Sequence, residues 1–138
     1  MSILYPVLVQ VALTFALLIW MGRERLAAVR AGSVQRGEHG GSKPVWPERA
    51  AVVSNAFHNQ FELPMLFYAA VAFAMLANAG DYLMIALAWA FALLRLVHAF
   101  IYTTYNNVPH RFTVYLIGSI VLLAMWFRLA LHVSMASA

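Results

Sequence analysis

The residues of this chain that could do chemistry fall into three short runs, each with helical spacing. Asn55, His58, Asn59 and Glu62 stand at i, i+3, i+4 and i+7, which places them on one face of a helix. Arg95, His98 and Tyr102 stand at i, i+3 and i+7, and Arg111 and Tyr115 at i and i+4. Together they supply a carboxylate, two guanidinium groups, two imidazoles, two phenols and two amides. All lie in or beside strongly apolar segments. An ionisable group in such a segment is costly and faces a partner or a cavity. This many converging donors and acceptors suits a polar ligand entering from the aqueous side and meeting an apolar partner delivered by lipid.

Simpler readings of the same residues stay open. A Glu62–Arg95 pair satisfies two charges without chemistry and serves equally as a strut between helices. A single buried histidine packs more often than it ligates. Two histidines and a glutamate could bind a metal, but no HxxxH-type spacing supports it, and no metal ligand is assigned. The alanines around these residues suit close helix packing.

The elements that must carry these residues are membrane spans. The chain has 138 residues, 64% of them apolar and 10% charged, with nine basic and five acidic side chains and no cysteine. Ordinary soluble domains are about 45–50% apolar and about 25% charged. So few charges cannot cover a soluble surface, which excludes a soluble globular domain, a disordered chain and a nucleic-acid module. Without cysteine there is no disulfide framework and no thiol nucleophile. About 20 apolar residues cross the hydrocarbon as a helix. Four spans follow, over about 3–22, 50–78, 82–105 and 111–133. They predict an all-α integral membrane protein, a single four-helix domain covering 1–138. The first span fits a cleaved signal peptide poorly, because no basic residue precedes it.

The loops predict orientation. Residues 23–49 hold Arg23, Arg25, Arg30, Arg36, Lys43 and Arg49, with loop expected from Gly37 to Pro47. Arg111 follows the short 106–110 turn on the same side. Asn78 to Asp81 turns on the other, with Arg128 nearby, expected to snorkel to the interface. The positive-inside rule puts loops 23–49 and 106–110 in the cytoplasm and both termini on the opposite side. At about 1.5 Å per residue, Glu62 and Arg95 lie roughly 18 and 15 Å from the cytoplasmic end, and His58 and His98 roughly 12 and 10 Å. The three runs therefore share one half of the bundle. Gln10 and Thr14 add a weaker polar stripe on the first span.

These residues carry a family resemblance over essentially the whole chain. Asn59-Gln-Phe-Glu62-Leu-Pro64 resembles the N-x-x-E…P signature of the MAPEG family, membrane-associated proteins of eicosanoid and glutathione metabolism. Arg95-x-x-His98-x-x-x-Tyr102, followed by Arg111-x-x-x-Tyr115, resembles the spacing of microsomal prostaglandin-E synthase. The resemblance implies a four-helix bundle assembled as a homotrimer, with glutathione held between subunits from the cytoplasmic side. It implies that Asn59 and Glu62 contact the tripeptide and that Arg95, His98 and Tyr102 line the same site. Arg111 would stand near the thiol, with Tyr115 beside the bound tripeptide. A guanidinium there favours thiolate, the nucleophilic form.

The chain departs from the family pattern at two positions. Glutathione-using members generally carry arginine four residues before the helix 2 asparagine, and some carry another directly before it. Here Asn55 and His58 stand there, so the bidentate clamp for a carboxylate is missing. Arg23, Arg25 or Arg49 are the alternatives. Proline follows Glu62 by two residues instead of three or four. These departures resemble a divergent bacterial-type branch, which implies an inner-membrane location with periplasmic termini. Two functions follow from the resemblance: a glutathione-dependent transferase or peroxidase acting on a lipophilic electrophile, or a non-catalytic protein that binds a lipid or other amphiphile. A third reading, a proton path through Glu62, His58, His98 and Arg95, finds little beyond Gln10 and Thr14 to continue it. Membrane lipid and a lipophilic small molecule are the expected partners.

Overall fold

A computed structural model describes residues 2–36 and 44–136. Lys43 and Glu38 of the basic loop lie outside the described residues. Helix α1 runs Leu4–Arg30, two turns beyond the expected span. The added residues Arg-Glu-Arg-Leu-Ala-Ala-Val-Arg are mostly strong helix formers. The helix stops at Gly32, whose φ of 64° admits the left-handed cap. Ser33 N–H then reaches the Ala28 carbonyl at 3.1 Å, and Gly32 N–H that of Val29 at 3.0 Å. Part of the expected 37–47 loop is paired: Pro44–Val45 (β2) lies antiparallel to Gln35–Arg36 (β1).

The second span is not the single helix expected over 50–78. It consists of α2 (Glu48–His58), a 3-10 turn (Asn59–Phe61) and α3 (Leu63–Leu76). Pro64 is the cause. It has no N–H for the Gln60 carbonyl and its ring collides with that carbonyl in a continuous helix. Glu62 takes φ −95° and ψ −110°, outside helical values, and Pro64 falls in the first turn of α3, where proline is tolerated. Helix α4 (Tyr82–Thr103) begins at Asp81, whose side chain accepts from Met84 N–H at 3.0 Å.

Helix α5 (Val108–Ala136) starts three residues before the expected boundary. Asn107 caps it by accepting from His110 N–H at 3.0 Å, and Pro109 sits in its first turn. Val108 to His110 are therefore helix rather than turn.

Helix α4 packs on α5 and α1, α2 on α1 and α4, and α3 on α5. Phe67 and Phe91 stack at 4.7 Å between ring centroids, surrounded by buried Met84, Leu122 and Met125. Buried Ala70, Ala74 and Ala88 let the helices approach closely. Leu8, Phe15, Phe73, Phe100, Ile120 and Phe127 are exposed on the outside. All four spans are long and apolar enough to cross a membrane. The protein is an all-α membrane bundle of four transmembrane elements.

Polar groups staple its ends and its middle. Arg128 does not simply snorkel to the interface: it forms a two-point ion pair with Asp81. At the other end Arg25 donates to Ser54 Oγ at 2.5 Å and lies 4.9 Å from the Trp46 ring. Arg49 donates to the Thr103 carbonyl at 2.7 Å and lies 4.8 Å from the Trp20 ring. In mid-bundle Gln10 Nε2 donates to Gln60 Oε1 at 2.7 Å, with both side chains buried.

Candidate functional site

The break in the second span, the C-terminal turns of α4 and the first turns of α5 meet at one end of the bundle. Between them lies a cleft of about 250 Å³, lined by Asn59, His98, Tyr102, Arg111 and Tyr115, with Val108 and Phe112. Five of the residues singled out by spacing are thus brought together. Each arrives for a local reason. Asn59 begins the 3-10 turn that Pro64 forces. His98 and Tyr102 are one turn apart on α4, and Arg111 and Tyr115 one turn apart on α5.

Charge in the cleft is concentrated on Arg111. Its guanidinium lies 4.2 Å from the centroid of the Tyr102 ring, a cation–π contact. Its Nη1 donates to Asn106 Oδ1 at 2.6 Å. His98 is buried between two phenol rings, 6.0 Å from Tyr102 and 5.9 Å from Tyr115 by centroids. The cleft therefore offers one fixed cation at its mouth, an imidazole deeper in, and Asn59 on the opposite wall. That arrangement can hold an anion, or a group that becomes one.

Arg95 is placed differently. It is 2% exposed and does not line the cleft. Its Nη2 donates to the Asn59 backbone carbonyl at 2.9 Å. In an unbroken helix that carbonyl would accept from the amide four residues on; the break releases it and Arg95 takes it up. Arg95 Nε has no acceptor among the described protein atoms. The expected Glu62–Arg95 strut is not formed: among the described residues the ion pairs within 4.0 Å are Arg49–Glu24 and Arg128–Asp81.

Asn55, His58 and Glu62 are exposed on the outer face of the second span and do not line the cleft. His58 Nδ1 lies 2.7 Å from the Ser54 carbonyl of its own helix. Among the described residues no group of three or more His, Asp or Glu side chains is placed to hold a metal ion.

The model of the MAPEG family matches residues 3–131 of the chain. The chain belongs to the MAPEG family. No curated protein and no solved structure matches it. In this MAPEG protein Arg25 and Arg49, two alternatives for the missing helix 2 arginines, are engaged with Ser54 and Thr103, and neither lines the cleft.

Three contributors carried no recognised signal. Val108 and Phe112 line the cleft because α5 begins at 108, which puts 108, 111, 112 and 115 on one helical face. A boundary at 111 hides that periodicity. Asn106 read only as a turn residue. Gln60 lay between two singled-out residues, and its role depends on Gln10 in another span.

Proposed function

We propose that this protein is a glutathione-dependent transferase or peroxidase that works on a lipophilic electrophile at the cytoplasmic membrane boundary, as a homotrimer. The observation that carries the reading is the cleft itself: Arg111, fixed over Tyr102, faces Asn59, His98 and Tyr115. Arg111 stabilises the glutathione thiolate electrostatically. In transfer, the thiolate sulfur bonds to the electrophilic carbon, and the displaced group leaves with its electron pair. With a hydroperoxide, the thiolate takes the terminal oxygen, the alcohol departs after protonation, and a second glutathione releases water and the disulfide.

The trimer rests on two features of the single chain. A cleft of about 250 Å³ falls below the ~300–1,000 Å³ typical of ligand sites, so a neighbouring subunit supplies the remaining wall. Asn55, His58 and Glu62 are exposed on one span, and a carboxylate facing hydrocarbon is unfavourable by several kcal/mol. A second copy covering that face brings Glu62 to the ligand. The basic loop orients this end toward the cytoplasm of a bacterial inner membrane, with the termini periplasmic.

The test is calorimetry with millimolar glutathione in a detergent that preserves the oligomer. Saturable binding is expected, weakened about tenfold or more in Arg111→Ala and Glu62→Gln. No heat of binding to the intact oligomer refutes the reading. One observation favours a second reading, a lipid-binding member without turnover: Asn55 and His58, standing where glutathione users carry arginine, lie outside the cleft. That reading requires one amphiphile to co-purify in stoichiometric amount, detected by mass spectrometry.

A further inference from the structure

Arg111 is the cation on which the site depends, and its long side chain has to be held. Two contacts hold it: the face of Tyr102 at 4.2 Å and Asn106 Oδ1 at 2.6 Å. Asn106 is itself rigidly set. It follows the C-terminus of α4, its N–H donates to the Ile101 carbonyl at 2.8 Å, and its φ is 46°. This left-handed conformation suits asparagine better than most residues. The backbone that turns the chain from α4 into α5 thus aims one amide oxygen at the guanidinium.

We propose that Asn106 is a positioning residue for Arg111, fixing its guanidinium at the mouth of the cleft with a neutral acceptor that leaves the full positive charge available to an anion. The choice of amide over carboxylate is what matters. An aspartate would hold the same nitrogen more tightly, by a charge-assisted bond, and would cancel the charge that the ligand needs. Tyr102 likewise contributes a ring face and no counter-charge. Among the described residues the ion pairs within 4.0 Å do not include Arg111. The inference rests on the proposed role of Arg111 for its consequence, but the restraint is measurable without glutathione.

The test uses the full-length protein in detergent and three variants. Asn106→Gly keeps the positive-φ turn and removes the acceptor. Asn106→Asp keeps the acceptor and adds charge. Asn107→Gly disturbs the same turn without touching the contact. The first readout is the rate at which phenylglyoxal modifies Arg111, followed by peptide mapping. Losing one hydrogen bond to a charged group predicts roughly tenfold faster labelling in Asn106→Gly. Labelling slower than wild type is expected in Asn106→Asp, and a change under about twofold in Asn107→Gly.

Equal labelling of wild type and Asn106→Gly, or an equal rise in both glycine variants, overturns the proposal. The second readout is the ultraviolet absorbance of the thiolate of bound glutathione, titrated against pH. In Asn106→Asp the midpoint moves up by about one pH unit, a roughly tenfold loss of thiolate at neutral pH. An unmoved midpoint overturns the claim about charge. Absence of any glutathione signal in wild type defeats the functional reading alone, and the labelling result still decides the role of Asn106.

Discussion

Replacing Arg95 with methionine separates a residue that contacts ligand from one that holds the frame. Arg95 is 2% exposed, and its single hydrogen bond goes to the Asn59 backbone carbonyl at 2.9 Å. Methionine fills a similar length of apolar space and donates nothing. The Asn59 carbonyl is then orphaned in the interior, which costs about 2 kcal/mol, the middle of the range for a lost bond to a charged donor. An opposing effect acts on the whole fold. Arg95 Nε has no protein acceptor, so removing this half-compensated buried cation offsets much of the lost bond. The consequence is local loosening with little global change. At 1.36 kcal/mol per factor of ten, amides of the 3-10 turn and the start of α3 exchange about 30-fold faster. Those of α4 near Phe91 stay within about threefold. Hydrogen–deuterium exchange by mass spectrometry on the detergent-solubilised oligomer, comparing peptides over 56–66 and 84–94, measures both. Exchange that is unchanged over 56–66, or that rises equally in both peptides, refutes the assignment of Arg95 as the clamp on the break.

Other outcomes follow from the same geometry. Pro64→Ala restores an N–H to the second span and lets the helix run through Asn59; thermal stability in detergent stays level or rises, while glutathione affinity by calorimetry falls at least tenfold. Gln10→Leu leaves Gln60 Oε1 buried without its donor and lowers unfolding free energy by about 1–3 kcal/mol. The double variant Gln10→Leu/Gln60→Leu recovers part of that loss, and a denaturation cycle giving strict additivity would count against the Gln10–Gln60 bond. Asp81→Asn keeps the cap on α4 and discards the ion pair, so stability changes by about 1 kcal/mol or less. Asp81→Ala loses about 1 kcal/mol more with the cap. A larger loss in Asp81→Asn than in Asp81→Ala reverses that ranking and refutes it.

Periodicity and charge made much of this legible. The i, i+3, i+7 spacing of Arg95, His98 and Tyr102 requires only that α4 be regular, and α4 is regular. The same reasoning failed on the second span, because Pro64 turns an i, i+3, i+4, i+7 stripe into two pieces. Asn59 went to the cleft, while Asn55, His58 and Glu62 went to the outer face. Depth alone suggested Glu62 as the partner of Arg95. Depth fixes height along the bundle but not azimuth, and the helix break changed the azimuth. The Arg128–Asp81 pair and the Arg25 and Arg49 contacts were invisible for a related reason: long side chains reach partners that spacing on their own helix does not specify.

The break also explains why the cleft sits where it does. Within a membrane, backbone that leaves the helix must have its polar groups satisfied internally or by a cavity. The second span meets that requirement in two ways. Arg95 takes the Asn59 carbonyl, and the Gln60 amide turns back to the Ala56 carbonyl at 2.9 Å while its oxygen accepts from Gln10. Both depend on polar side chains from other spans, which a purely packing bundle would replace with alanine or leucine. What the break yields is an asparagine side chain delivered sideways into the cleft at the level of His98 and Tyr102. A continuous helix has no means of presenting Asn59 there while turning Glu62 outward. On this view the proline, the buried arginine and the glutamine pair act as one device, and disturbing any of them should loosen Asn59 before it unfolds the bundle.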